Sequence, residues 1–151
     1  MKFLAFDFGS KRIGLALCDE DERLAFPLKT HTRKPNDNRG DFAAILQVVR
    51  QHQVGGVVCG VPGGSVQSNE VASVAKRFFD KLKLEFEAQG LNLEWHDFDE
   101  RFSTSLFLNQ IKESGGSIRK AREEGALDAG AAAMMLEGFL EKRHVDRERE
   151  A

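Results

Sequence analysis

Three carboxylates stand where this chain passes from one element to the next: Asp7, Glu100 and Asp128. Asp7 sits in Phe3-Leu4-Ala5-Phe6-Asp7-Phe8, a run that otherwise reads as a buried central strand. Asp is poor in strands and costly to bury unless it is paired or binds a metal. Glu100 follows a predicted strand that ends at Asp99, and Asp128 opens a stretch of small and apolar residues. Singly, two of them have simpler explanations. Asp128 could serve a helix dipole, and Glu100 could cap a helix or pair with Arg101. Together the three can do more. Hard divalent cations take oxygen ligands and bind through a few carboxylates plus substrate phosphate. Two such ions about 4 Å apart stabilise the attacking and leaving oxygens of a phosphodiester displacement. A site made of acids, without a histidine or cysteine cluster, favours Mg²⁺ or Mn²⁺ over zinc.

The elements that must position these acids can be read from pattern. Residues 3–8, 13–18 and 23–28 are predicted strands joined by short turns, the third suited to an edge because of Pro27. Asp41 can cap a helix over 42–53, with Phe42, Ile45, Leu46 and Val49 on one face. Gly56 to Val61 is a short buried strand ended by Pro62-Gly63-Gly64. A helix over 69–89 follows, its stripe formed by Val71, Val74, Ala75, Phe78 and Leu82, with Gly90 as its stop. Leu91 to Asp99 is a fifth strand. Ser103 or Thr104 caps a helix carrying Phe107, Leu108 and Ile111, and residues 114–125 form a polar loop. The last helix runs from about Leu127 to Arg143, and its small residues, Ala129 to Ala133, allow close approach to a sheet. Hairpin-linked strands followed by strand–helix alternation give an α/β fold, a mixed sheet with helices on its faces. One domain spans 1–143, and 144–151 is a charged, solvated tail.

Composition bounds the function classes. The chain has 151 residues, 41% hydrophobic and 30% charged, which suits one globular domain. No apolar run approaches the roughly 20 residues of a membrane span, and Asp7 breaks the N-terminal apolar stretch, so a signal peptide is not expected. Cys18 and Cys59 lack metal or redox spacing and read as reduced, buried thiols of a cytoplasmic protein. The formal net charge is −2. Local basic segments (Lys29, His31, Arg33, Lys34 and Arg39, then Lys112, Arg119, Lys120 and Arg122) are compatible with nucleic acid, but a large sequence-blind binding surface is not expected.

Four segments, in order, resemble one family. Asp7-Phe8-Gly9-Ser10-Lys11-Arg12-Ile13-Gly14 is similar to the first signature of the YqgF/RuvX nucleases, which have an RNase H-like fold. Val58-Cys59-Gly60-Val61-Pro62 is similar to their Gly-hydrophobic-Pro strand, Asp99-Glu100-Arg101-Phe102-Ser103-Thr104 to their Asp-Glu-Arg motif, and Leu127-Asp128-Ala129-Gly130-Ala131-Ala132 to their C-terminal motif. Members are described as Holliday junction resolvases and as nucleases trimming the 5′ end of pre-16S ribosomal RNA. The resemblance implies a five-stranded mixed sheet ordered 3-2-1-4-5. It also implies a metal-dependent endonuclease in which Asp7, Glu100 and Asp128 hold Mg²⁺ or Mn²⁺ and Lys11, Arg12 and Arg101 touch phosphate. Ser103 and Thr104 would cap a helix whose amides can also receive phosphate. Precursor rRNA within a ribosomal precursor, or branched DNA, is the implied partner, for a monomer or a homodimer.

Two departures qualify the match. The fourth strand ends Gly60-Val61-Pro62 without an acid, so Glu100, or Asp99 in its place, must reach in from the neighbouring strand. The loop after Pro62 keeps Gly63-Gly64 but lacks the family's Asn and Asp. Two other function classes remain open. Asp-x-Gly before a hairpin also occurs in the phosphate loop of the actin and sugar-kinase superfamily, which clamps ATP between two lobes where this chain supplies one. A catalytically silent assembly factor would keep the fold for its shape.

Overall fold

The structure, a computed structural model, describes residues 1–61, 66–99 and 126–150. Its strands are β1 (Phe3–Phe8), β2 (Arg12–Cys18), β3 (Ala25–Thr32), β4 (Gly56–Val61) and β5 (Glu94–Asp99). Its described helices are α1 (Asn38–His52), α2 (Val66–Ala88) and α3 (Ala126–Glu150). The sheet order is β3-β2-β1-β4-β5, as the family resemblance implied. β1, β2 and β3 form the antiparallel meander, and β4 and β5 join β1 in parallel.

Alternation along the strands builds two cores. On one face Leu4, Phe6, Phe8, Ile13, Leu15 and Leu17 meet α1 and α2 through Ile45, Val48, Phe78, Phe79 and Leu82. On the other Phe3, Ala5, Ala16, Cys18 and Val58 meet α3 through Ala132, Ala133, Met135, Leu136 and Leu140. Ala129, Ala131, Ala132 and Ala133 are buried, so the small residues do bring α3 close to the sheet. Aromatic pairs fill the first core: Phe6 meets Phe79 edge to face at 5.0 Å and Phe8 meets Phe78, tilted, at 4.8 Å. Such pairs contribute roughly 0.5–1.5 kcal/mol beyond their buried area. Cys18 and Cys59 are buried free thiols.

Several boundaries differ from the sequence reading. β3 begins at Ala25 and runs to Thr32, because its ladder with β2 continues to the Arg12–Thr32 pair. Pro27 is accommodated on this edge strand next to a register shift at Leu15/Ala16. α1 starts at Asn38. Its cap is Asp37, whose side chain accepts the Gly40 amide at 3.0 Å, and Asp41 is buried instead. In α2, Val74 is 48% exposed, and Phe79 and Phe86 complete the stripe. The side chain of Val71 lies outside the described residues. β5 begins at Glu94, after an irregular stretch from Leu91. Gly90, at φ +80°, stops α2 as expected. α3 does not end near Arg143 but continues to Glu150. Its last turns are held, since Arg143 and Arg147 both bind Glu22. The expected helix carrying Phe107, Leu108 and Ile111, the loop 114–125 and the Pro62-Gly63-Gly64 turn lie outside the described residues.

Candidate active site

Asp7 is the next-to-last residue of β1, the central strand, opposite Gly14 of β2. The residues two and four before it, Ala5 and Phe3, belong to the α3 face. Period-two alternation therefore puts Asp7 on that face as well. It is half-buried, while the flanking Phe6 and Phe8 are buried on the opposite side. Gly14 adds no side chain beside it.

The direction of α3 decides what else lies at this end of the sheet. Arg143 donates to Glu22 at 2.6 Å and Arg147 at 3.0 Å, so the C-terminal half of α3 sits over the β2–β3 turn. That turn is at the edge where β1 begins, since Leu4 pairs with Leu17. Phe139 packs on Phe3 with ring centroids 5.1 Å apart. From Phe139 back to Asp128 the helix rises about 16 Å, and from Phe3 to Asp7 the strand advances about 13 Å. The first turn of α3, which contains Asp128, thus comes to the same end of the sheet as Asp7. The Asp128 side chain lies outside the described residues.

β5 ends at that edge too. Phe6 pairs with Cys59 and Cys59 with Asp97, in one row across three strands, and Asp99 closes β5 opposite Val61. Glu100, Arg101, Ser103 and Thr104, and the side chain of Asp99, lie outside the described residues. Among the described residues, no group of three or more His, Cys, Asp or Glu is arranged to hold a metal ion. Of the expected phosphate contacts, Lys11 is exposed in the β1–β2 turn and Arg12 is partly buried at the start of β2.

The turn after Asp7 is tightly built. A Cβ on Gly9 would lie 2.6 Å from the Arg12 carbonyl oxygen, a backbone atom that cannot step aside, so glycine is required there. Arg33 holds the turn from outside. Its backbone amide donates to the Lys11 carbonyl at 2.8 Å and its Nη1 donates to the Gly9 carbonyl at 3.0 Å. Its Nε donates to Asp41 Oδ2 at 2.8 Å, and His31 Nε2 lies 2.8 Å from Asp41 Oδ1. Asp41 is 1% exposed. Sequence reading missed this group, taking Arg33 as one of a basic run and Asp41 as a cap. The signal was present, because Asp41 shares the face of Ile45 and Val48 on α1, where an acid needs a partner.

Comparisons with known proteins place the chain by family and by fold. The profile of the RuvX family, described as Holliday junction resolvase, matches residues 1–142. A relative from Anaeromyxobacter sp. (strain Fw109-5), named "Putative pre-16S rRNA nuclease", is 38% identical over 147 residues, covering 96% of this chain and 100% of its own. A relative of the same name from Koribacter versatilis (strain Ellin345) is 39% identical over 152 residues, covering 97% and 91%. Among solved structures, T. thermophilus RuvC in complex with a Holliday junction substrate superposes with a TM-score of 0.58 at 15% identity, covering 95% of this chain and 96% of that one. The Fowlpox virus resolvase bound to Holliday junction DNA gives 0.50 at 12%, covering 94% and 98%. At those identities the likeness is one of fold: a RuvC-like, RNase H-type sheet. A match along almost the whole chain, full-length relatives above one-third identity and the shared sheet lead to one conclusion: the chain belongs to the RuvX family.

Proposed function

We propose that this protein is a metal-dependent endonuclease that cleaves phosphodiester bonds of structured nucleic acid, with 5′-end processing of pre-16S ribosomal RNA in ribosome biogenesis as its task. The observation that carries the reading is the position of Asp7. It stands near the end of the central strand, on the face covered by α3, at the end of the sheet where β5 finishes and α3 begins. Residues 1–143 are taken as the nuclease domain and 144–151 as its charged extension.

The donor set suits a hard cation, because Asp7, Glu100 and Asp128 offer only carboxylate oxygen. When bound, Mg²⁺ or Mn²⁺ supplies an activated water and neutralises charge developing on phosphate oxygens. Glu100 is taken as the second acid, as the family resemblance implies, with Asp99 as its alternative. His96 packs against Phe139 of α3, and Phe98 lies against Gly138. These contacts set one face of β5 against α3, the helix that covers the face carrying Asp7. Lys11, Arg12 and Arg101 are assigned to substrate phosphate, and Ser103 and Thr104 to the amides of a helix start that can receive it.

The RNA assignment is supported by the names of the full-length relatives. It is also supported by a net charge of −2, low for the broad phosphate contact of a four-way junction. The family description favours a second reading, Holliday junction resolution. Symmetric cuts need two active sites and hence a homodimer. One assay separates the readings. Precursor rRNA leader and four-way DNA junction are incubated with Mg²⁺ or Mn²⁺, wild type beside Asp7→Asn, with solution mass measured in parallel. Trimming of the leader supports the first reading, and paired symmetric nicks by a dimer support the second. No cleavage of either by wild type would leave the silent or nucleotide-binding classes.

A further inference from the structure

We infer that Arg33 is a positioning residue for the turn that follows Asp7, acting as a brace between that turn and the buried carboxylate of Asp41. The inference rests on the nuclease reading above. Arg33 touches three successive carbonyls of the turn. Its amide donates to Lys11 at 2.8 Å, and its Nη1 donates to Gly9 at 3.0 Å and Ser10 at 3.4 Å. On its other side Nε donates to Asp41 at 2.8 Å and Nη2 to Asn38 at 3.2 Å, which ties the brace to the start of α1. The guanidinium lies over the Phe8 ring at 4.7 Å and the Phe78 ring at 5.3 Å, so its plane is fixed by packing as well. The side chain is only 15% exposed.

The chemistry needs arginine. Its fork directs donors along several fixed lines, so one group can hold a buried carboxylate and backbone carbonyls at once. A lysine ammonium in the same place reaches one or the other. The braced turn links the carboxylate of Asp7 to Lys11, the residue assigned to phosphate. An error of about 1 Å in such a link costs on the order of a hundredfold in rate. Arg33 therefore acts on kcat through the turn, without touching substrate.

The test uses the full chain and the cleavage assay, with Arg33→Lys and Arg33→Ala. Circular dichroism checks folding, and amide hydrogen exchange is read residue by residue. Expected in both variants is a kcat lowered about ten- to a hundredfold, the scale of lost orientation, with KM little changed and faster exchange at Ser10–Arg12 and at the start of α1. Should alanine at this position fail to fold, the lysine variant gives the reading. A raised KM at constant kcat would make Arg33 a substrate contact and overturn the inference. Unchanged kcat and unchanged exchange would overturn it as well. If wild type cuts neither substrate while exchange of the turn still quickens in the variants, the nuclease reading falls and the mechanical brace stands.

Discussion

Asp7 and Asp41 are both carboxylates set among apolar residues, and the chain uses them in opposite ways. Asp41 is enclosed and matched by two partners, His31 and Arg33, each at 2.8 Å. Removing it leaves the guanidinium of Arg33 without its buried counterpart. Breaking such a pair costs about 3–5 kcal/mol, and with Arg33 slightly exposed the lower end applies. Asp41→Ala should therefore shift the urea midpoint markedly downward, whereas Asp37→Ala, which removes only a helix cap, should cost about 1 kcal/mol. Asp7 stands half-open at the end of its strand. Asp7→Asn keeps shape and loses the charge, so the folding free energy should change by less than about 1 kcal/mol. Cleavage should fall by at least roughly a hundredfold, the scale of a lost electrostatic contact to developing charge. Calorimetry beside the cleavage assay reads both. Asp7 was legible in the sequence because Asp is poor in strands and costly to bury. Asp41 was misread because its partners come from β3, and local pattern offered the easier explanation of a cap.

Among elements, the joint between α3 and the β2–β3 turn carries a pH dependence. Glu22 is 6% exposed and adopts φ 58°. Burial works to raise its pKa, but the hydrogen bonds from Arg143 and Arg147 outweigh it, and the net shift is downward. A carboxylate with a lowered native pKa contributes stability above its ordinary value and loses it as pH falls through the native one. The melting temperature of wild type should thus drop below about pH 4.5 more steeply than that of Glu22→Gln, with the two curves running parallel near neutrality. Packing makes a second prediction at this scale. A Cβ on Gly56 would collide with the Phe3 ring, itself fixed against Phe139 and His96. Gly56→Ala should cost about 1–3 kcal/mol, the usual effect of overpacking, measurable by denaturant titration. The existence of the described elements was readable from hydrophobic period, and their order in the sheet in part from the family resemblance. The ends of β3, α1 and α3 were not, since a ladder partner, a cap and a distant glutamate set them.

At the scale of the whole molecule, charge limits how nucleic acid can be held. Of the basic residues between Lys29 and Arg39, His31 and Arg33 are committed to Asp41, while Lys29, Lys34 and Arg39, like Lys11, are exposed. Binding should then rest on a few phosphates, and Lys11→Ala should reduce the slope of log K against log salt by about 0.7–0.9, as read by titration at several salt concentrations. No helix among the described residues is long and apolar enough to cross a membrane. The sequence by itself determined the strands, the anomalous acid on the first of them and the family, because alternation and ordered motifs are local properties of a chain. Tertiary structure alone decided that Asp7 faces α3, that α3 runs back along the sheet to bring its first turn to that edge, and that Arg33 braces the turn beside Asp7. Those facts depend on contacts between residues far apart in the chain, whose energies are realised only when the sheet has closed around its two cores.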